Sequence, residues 1–147
     1  MSIPVYPVPK QEGGKMNIEV ASIGELLVEV MRKKVDVPLG VPRSFVGPYP
    51  SGAPAIFIDT VARLGVKSGF IGTVGEDDFG KLILRRLKED NVDTQYIEIS
   101  KDYTTGVAFV TYFRDGTRKF IFHLSRAASG QISLKQINRD YLSRVKY

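Results

Sequence analysis

Apolar residues along this chain form runs that predict alternating strands and helices. Residues 18–31 are rich in Val, Ile and Leu and predict one buried first strand. A helix is predicted next, with Ser51 as its N-cap, Pro54 in its first turn and Gly65 at its end. The predicted apolar face of this helix consists of Ile56, Phe57, Val61 and Leu64.

A second strand and helix follow directly. Residues 66–74 predict the strand, and Asp77 or Asp78 opens a helix that runs to Asn91. The buried stripe of this helix is predicted to consist of Phe79, Leu82, Ile83 and Leu87. Strands that alternate with helices favour an α/β fold, in which a parallel sheet is covered by helices.

The pattern then changes to a hairpin. Residues 105–113 and 118–124 are rich in β-branched and aromatic residues, and Asp115 and Gly116 between them are a strong hairpin signal. Neither face of the first arm is wholly polar. We therefore expect this ribbon to cover another part of the molecule on one side.

The remaining segments are less regular. Residues 1–15 contain three prolines and predict an extended, poorly ordered lead, with the folded part beginning near Met16. Residues 33–50 contain four more prolines and predict loops or short strands. Near the end, Ser133 is expected to cap a short helix, and Val145 to begin another strand. The predicted inward residues of that helix are Leu134, Ile137, Tyr141 and Leu142.

Composition narrows the class of protein. The 147 residues suffice for one domain with a core, and 43% are hydrophobic and 25% charged. The net charge is +5, and the Lys and Arg residues are interleaved with Asp and Glu along the helices. We therefore expect solvated helix faces and no nucleic-acid partner. Without cysteine and with one histidine, the chain is expected to hold no metal. No apolar run approaches the ~20 residues that span a bilayer, so we expect a cytoplasmic protein without a membrane partner.

Two short segments are candidates for ligand chemistry. Residues 75–81 have the spacing of a phosphate loop, but Leu82 replaces the required Ser or Thr and three acids would repel phosphate. We interpret this segment as a tight turn whose acids meet a helix N-terminus. Residues 51–53, Ser-Gly-Ala, begin the first helix and either admit a polar ligand to the backbone amides or simply pack on a strand.

Two acids interrupt the apolar first strand. A carboxylate is costly there unless it has a partner or lies at an exposed strand end. Glu25 and Glu29 are therefore either contacts for substrate hydroxyl groups or residues that emerge into water. The single histidine, His123, is expected to be a surface or packing residue.

Taken in order, these parts resemble the N-terminal half of the PfkB (ribokinase-like) carbohydrate kinases, from residue 17 to residue 147. The matching motifs occupy residues 24–29, 51–55, 62–65, 72–80 and 105–120. The resemblance implies part of a Rossmann-like α/β domain, with a small β-sheet lid built from residues 33–50 and 105–124, and with the C-terminal half of the fold absent. The folded domain is expected to span residues 16–147.

The resemblance also implies substrate contacts. Glu29 matches an acid, usually Asp, that holds sugar hydroxyls, and the turn at residues 51–53 lets the sugar lie close to the backbone. The full set of implied substrate-binding residues is Glu29, Ser51, Gly52, Ala53, Phe109 and Tyr112. One departure is Ile56, which stands where the family usually has a sugar-binding Asn.

A second departure concerns catalysis. The family's Asp-Thr-x-Gly-Ala-Gly-Asp motif, which supplies the anion hole and the catalytic base, does not occur in these 147 residues. The resemblance therefore implies the substrate-binding part of an ATP-dependent kinase for a sugar or sugar acid. No catalytic residue lies in this chain, and ATP and Mg²⁺ belong to the complete enzyme. The alternatives are a non-catalytic sugar-binding module, or an interaction module that forms a homodimer through the lid.

Overall fold

The computed structural model describes residues 18–147, and the extended lead predicted for residues 1–15 lies outside them. The strands are β1 (Val20–Ile23), β2 (Leu27–Arg32), β3 (Phe45–Ser51), β4 (Ser68–Gly75), β5 (Asp93–Ser100), β6 (Gly106–Tyr112) and β7 (Arg118–His123). The α-helices are α1 (Ala53–Arg63), α2 (Asp78–Glu89) and α3 (Arg139–Leu142), and two short 3-10 turns precede α3.

The strands form two sheets. The main sheet is parallel, with strand order β1-β4-β5, and α1 and α2 pack on one of its faces. The second sheet has the order β3-β2-β6-β7, in which only β2 and β6 are parallel. The predicted α/β class is confirmed. The hairpin of β6 and β7 is also confirmed, and it pairs with β2.

The predicted single first strand is wrong, because the chain leaves one sheet and enters the other within it. β1 lies in the main sheet and β2 in the second sheet, and residues 24–26 connect them. The crossing passes close to the start of α1: a Cβ on Gly24 would lie 2.5 Å from Cγ of Pro54. Both strands are apolar, so their composition carried no sign of the change of sheet.

β5, an edge strand of the main sheet, was not predicted from the sequence. Its sequence, Asp-Thr-Gln-Tyr-Ile-Glu-Ile-Ser, is largely polar, and Ile97 is its one buried hydrophobic residue. On the opposite face of the sheet, β5 contributes the partly buried Tyr96. The hydrophobic pattern of such a strand is therefore weak.

The two covering helices differ in how well they were predicted. The stripe of α2 is confirmed: Ile83 and Leu87 are buried in the core, and Phe79 and Leu82 pack against it. In α1, by contrast, the buried residues are Ala55 and Ile58, whereas three of the four predicted inward residues are exposed: Ile56, Phe57 and Leu64. Because α1 is apolar on nearly every side, its pattern did not reveal which face meets the sheet.

The opposite face of the main sheet is covered by the end of the chain. Tyr141 is buried there with Ile18 and Ile71, and its ring lies 4.2 Å from that of Tyr96, centroid to centroid. Burial, with a smaller contribution from nearby Asp93, raises the pKa of Tyr141 to about 12.

The predicted helix at the chain end is corrected to separate short turns. Two of its predicted inward residues, Leu134 and Leu142, are exposed because the chain does not continue one helix past Gln136. Val145 does not begin a strand. Instead, the chain meets the outer edge of β1 two residues later, where the Tyr147 amide donates to the Glu19 carbonyl.

Candidate functional site

Glu29 lies in the middle of a row of four residues across the second sheet. Its backbone pairs with Tyr49 on β3 and with Ala108 on β6, and Ala108 pairs in turn with Phe122 on β7. Paired residues of neighbouring strands project from the same face of a sheet. The carboxylate of Glu29 therefore shares a face with two aromatic side chains.

The row is amphipathic. Ala108 is buried and small, while Tyr49 and Phe122 are 48% and 56% exposed on either side of it. Glu29 itself is half-buried. Small-molecule sites are typically lined by apolar and aromatic groups with a few placed polar ones. A carboxylate that accepts hydrogen bonds, between aromatic rings that cover C–H groups, matches the chemistry of a sugar.

Neither Tyr49 nor Phe122 was among the predicted site residues. The signal at Asp115 and Gly116 predicts a hairpin, but a two-residue turn there would place His123 opposite Ala108, whereas the observed longer loop places Phe122 there. Tyr49 lies in the proline-rich segment, whose register against β2 includes an irregularity between Glu29 and Met31. No sequence pattern gives that register.

The structure does not bring Phe109 together with Glu29. Phe109 is adjacent to Ala108 in β6 and so projects from the opposite face, where its ring contacts Phe45 and His123 at centroid distances of 5.6 and 6.1 Å. Tyr112 is on the Glu29 face, but four residues beyond Ala108, which places it about 13 Å along the strand at 3.3 Å per residue. Tyr49 and Phe122 are thus closer to Glu29 along the sheet than the predicted Tyr112, and Phe109 lies on the opposite face.

The turn at residues 51–53 is built tightly around Glu25. The Ala53 amide, the first of α1, donates a hydrogen bond to the Glu25 carboxylate at 3.2 Å. Gly52, not Ser51, is the N-cap, and Ser51 is the buried last residue of β3. Gly52 has φ 111° and faces the Glu25 carbonyl, a backbone geometry that favours glycine.

Ile56 lies in the first turn of α1 and is 52% exposed. Its side chain cannot hydrogen-bond a sugar, whereas the resemblance implies an Asn side-chain amide at this position. Of the two acids, Glu25 accepts a hydrogen bond from the Ala53 amide. Glu29 instead shares its face of the sheet with the exposed side chains of Tyr49 and Phe122. The residue pattern alone had left the roles of the two acids open, and the family resemblance had assigned the substrate contact to Glu29.

Asp77 joins α2, β4 and β6 at the carboxyl end of the main sheet. Its carboxylate accepts from the Gly80 amide at 2.8 Å and from the Thr105 amide at 2.7 Å, and it also accepts from the Thr105 hydroxyl at 2.8 Å. The same hydroxyl accepts from the Gly75 amide. Burial alone would raise the pKa of Asp77, but the hydrogen bonds from Thr105 and Gly80 outweigh burial and lower this pKa.

Replacing Asp77 by asparagine is expected to lower the free energy of unfolding by about 1–3 kcal/mol, because a helix cap and charge-assisted hydrogen bonds are weakened together. Urea denaturation at pH 7 measures this change. Asp78→Asn is the matched control, since Asp78 is exposed and pairs only with Lys81. Equal stability losses in the two variants would contradict the role of Asp77.

The sign of the pH dependence follows from the lowered pKa of Asp77. The stabilisation is present above the ordinary aspartate pKa of about 3.9 and is lost as the pH falls through the folded-state pKa. The difference between the wild type and Asp77→Asn should therefore shrink at acidic pH.

The same contacts exclude a phosphate cradle at residues 75–81, as the sequence indicated. Two of the amides that a phosphate would need, those of Gly75 and Gly80, already donate to Thr105 and Asp77. Among residues 18–147, no three His, Cys, Asp or Glu side chains are grouped to hold a metal ion. Residues 75–81 therefore do not fit the phosphate groups of ATP. A shallow open groove on α2, lined by Lys81, Leu84, Arg85, Lys88 and Glu89, lies apart from Glu29.

Comparison with known proteins decides the family. Residues 17–147 match the pfkB family carbohydrate kinases. The chain belongs to this family. Among relatives of this pfkB chain, fructokinase-2 of Solanum lycopersicum is 34% identical over 127 residues, which are 86% of the chain and 38% of the relative. Fructokinase-1 of Oryza sativa subsp. japonica is 33% identical over 126 residues.

Solved structures agree with this assignment. An E. coli protein provisionally named ribokinase II is 46% identical, with a TM-score of 0.83 over 87% of the pfkB chain and 41% of its own. That protein has also been solved with ATP and Mg²⁺. A sugar kinase from Pyrococcus horikoshii is 37% identical, with a TM-score of 0.74, over 82% and 40% of the respective chains. The pfkB chain thus spans about two fifths of the relatives it matches.

In the described part of the chain, no helix has the length and apolar character needed to cross a membrane. The predicted cytoplasmic location remains a prediction.

Proposed function

We propose that this chain is the sugar-binding part of an ATP-dependent carbohydrate kinase, which transfers the terminal phosphoryl group of ATP to a sugar hydroxyl. The proposed substrate is a hexose or a sugar acid. Fructose is the first sugar to test, because several relatives are named fructokinases. Family membership supports the reaction class.

The observation that carries the proposal is the row formed by Tyr49, Glu29, Ala108 and Phe122. In the proposed complex, the ionised carboxylate of Glu29 accepts hydrogen bonds from sugar hydroxyls, and the two aromatic rings cover apolar edges of the sugar. Ala108, which lies between Glu29 and Phe122 in the row, contributes only a methyl group. Ser51, Gly52 and Ala53 remain proposed as the turn that approaches the sugar through the backbone.

The residues of this chain bind and orient the sugar in the proposed enzyme, and they do not carry out phosphoryl transfer. Bound ATP and Mg²⁺ would supply the phosphoryl group and neutralise its charge in the complete kinase. The groups that hold them are proposed to lie in the part of the relatives that this chain does not cover. A sugar hydroxyl held by Glu29 would be presented to that part in a defined orientation.

A chimeric kinase tests the proposal. In Solanum lycopersicum fructokinase-2, the 127 matched residues would be replaced by the matching residues of this chain. We expect the chimera to release ADP only when sugar is added, whereas the isolated chain should show no turnover near the ~1 per second of ordinary kinases. A coupled ADP assay with fructose and a panel of hexoses and sugar acids measures both.

The control is the folded state of the chimera, followed by circular dichroism and by its binding of ATP. A folded chimera that binds ATP but releases no sugar-dependent ADP would refute the proposed function. Ordinary turnover by the isolated chain would refute the proposed division of roles.

A second candidate function is an interaction module that forms homodimers through the second sheet. It is favoured by Ile121 and Phe122, neighbours on β7 that project from opposite faces and are 46% and 56% exposed. Sedimentation at high concentration separates the two candidates, because a strictly monomeric chain excludes this one.

A further inference from the structure

Arg32, the last residue of β2, is a buried cation with only 6% of its surface exposed. Its guanidinium carbon lies 3.9 Å from the centroid of the Phe45 ring. Its two terminal nitrogens donate to four backbone carbonyls at 2.5–2.9 Å, those of Pro38, Leu39, Val41 and Arg43. An arginine is buried in this way only when its charge and its donors are satisfied by partners. The side chain is therefore held in one defined position.

The carbonyls that Arg32 binds belong to residues 33–44, the connection between β2 and β3. This connection contains neither a helix nor a strand. Its other side is attached to β6, where the Asp36 amide donates to the Tyr112 carbonyl at 3.0 Å and the Thr111 hydroxyl donates to the Val37 carbonyl at 2.8 Å. Arg32 thus joins the connection to the start of β3, and the connection joins both to β6.

The position of β3 depends on how its ends are held. Within the described residues, β3 is an edge strand that pairs with β2 alone, and its register against β2 is irregular in the middle. Pro48 and Pro50 have no amide hydrogen to donate to that ladder. One end of β3 is fixed by the buried Ser51. The other end is Phe45, which pairs with Arg32 and contacts its guanidinium.

We infer that Arg32 is a positioning residue for the proposed sugar site, because it holds the end of β3 that places Tyr49 in the row with Glu29. Tyr49 follows Phe45 by four residues, about 13 Å along the strand. Its side chain is 48% exposed, so its own packing fixes it only in part. Arg32 acts through the backbone of β3 and does not touch the sugar. The inference rests on the proposed function and deepens it by naming a residue on which the sugar contact depends.

Hydrogen–deuterium exchange of the full chain tests the structural step without sugar or ATP, so its failure is separate from failure of the proposed function. In Arg32→Met, the amides of residues 36–43 and 45–49 should exchange about tenfold faster or more, because opening of the connection releases the end of β3. Exchange in β5, which lies in the main sheet, should be unchanged.

Arg43→Met is the matched control, because it makes the same replacement within the same connection. The Arg43 side chain is exposed and donates to the neighbouring Pro42 carbonyl. This variant should exchange like the wild type. Arg32→Lys keeps the charge, but a single ammonium group cannot replace two nitrogens that bind separate carbonyls. Exchange of residues 45–49 should therefore also be faster in Arg32→Lys, which carries the test if Arg32→Met does not fold.

Kinetics of the chimeric kinase test the step from Arg32 to the sugar. Arg32→Met should raise the KM for the sugar about 5- to 10-fold and leave the KM for ATP unchanged. If Arg32 acts through Tyr49, this rise should disappear when Tyr49→Ala is already present. A residue that only stabilises the fold would not show that dependence.

Faster exchange in β3, together with a sugar effect that requires Tyr49, supports the inference. Unchanged exchange of residues 45–49 in a folded Arg32 variant would overturn it, and so would an equal rise in sugar KM with and without Tyr49. A folded chimera that binds ATP but does not respond to sugar refutes the proposed function. The exchange experiment then decides by itself whether Arg32 holds Tyr49 in position.

Discussion

Glu29→Gln in the chimeric kinase is expected to lower kcat/KM for the sugar by about 10- to 100-fold. Hydrogen bonds to a charged group contribute about 1.5–3 kcal/mol each, and glutamine removes the charge while keeping the size of the side chain. The row around Glu29 explains why no neighbour substitutes: its paired residues on this face are an alanine and a tyrosine. The loss should appear in sugar binding, and the KM for ATP should stay unchanged.

Two comparisons make this prediction specific. Glu98→Gln, on an exposed residue of β5, should leave the kinetics unchanged. Glu29→Asp keeps the charge and should recover part of the activity, because the family's usual residue is the shorter acid. If Glu29→Gln has the same sugar KM and kcat as the parent, Glu29 does not touch the substrate.

Gly52→Ala is expected to destabilise the protein by about 2–5 kcal/mol. The added Cβ would clash with the Glu25 carbonyl oxygen, and φ of 111° is strained for alanine. Relief requires the turn before α1 to move, which would also break the bond from the Ala53 amide to Glu25. Urea or thermal denaturation measures the loss directly.

Gly40→Ala is the matched control for Gly52→Ala, since a Cβ on Gly40 meets no atom within 4 Å. Its stability should remain within about 0.5 kcal/mol of the wild type. A Gly52→Ala variant as stable as Gly40→Ala would mean that the turn relaxes without cost.

The elements that the sequence predicted best are those with one strong local signal. The stripe of α2 and its Asp77 cap follow from spacing within a dozen residues, and the turn between β6 and β7 follows from Asp115 and Gly116. Residues of this kind carry their own structural information, because their partners are three or four positions away. Glu29 was likewise identified as an acid out of place in an apolar strand.

The predictions that were wrong share a different cause. In each of them, local hydrophobicity does not show which surface of a segment is buried or which sheet it joins. The apolar run of residues 18–31 does not reveal that it serves two sheets, and α1 offers apolar side chains to more than one direction. β5 was missed because Ile97 is its one buried hydrophobic residue and most of its other residues are polar. In each case the deciding partner is far away in sequence.

The amino-acid sequence alone was sufficient for the α/β class, the family, the absence of the family's catalytic motif and the acid at position 29. Local periodicity, capping residues and motif order carry that information in short segments. Only the tertiary structure decided that Tyr49 and Phe122 share a face of the sheet with Glu29, that Phe109 faces away, and that α1 exposes Phe57 and Leu64. Those outcomes depend on strand register and on competition between faces for one core, and both are set by contacts between distant residues.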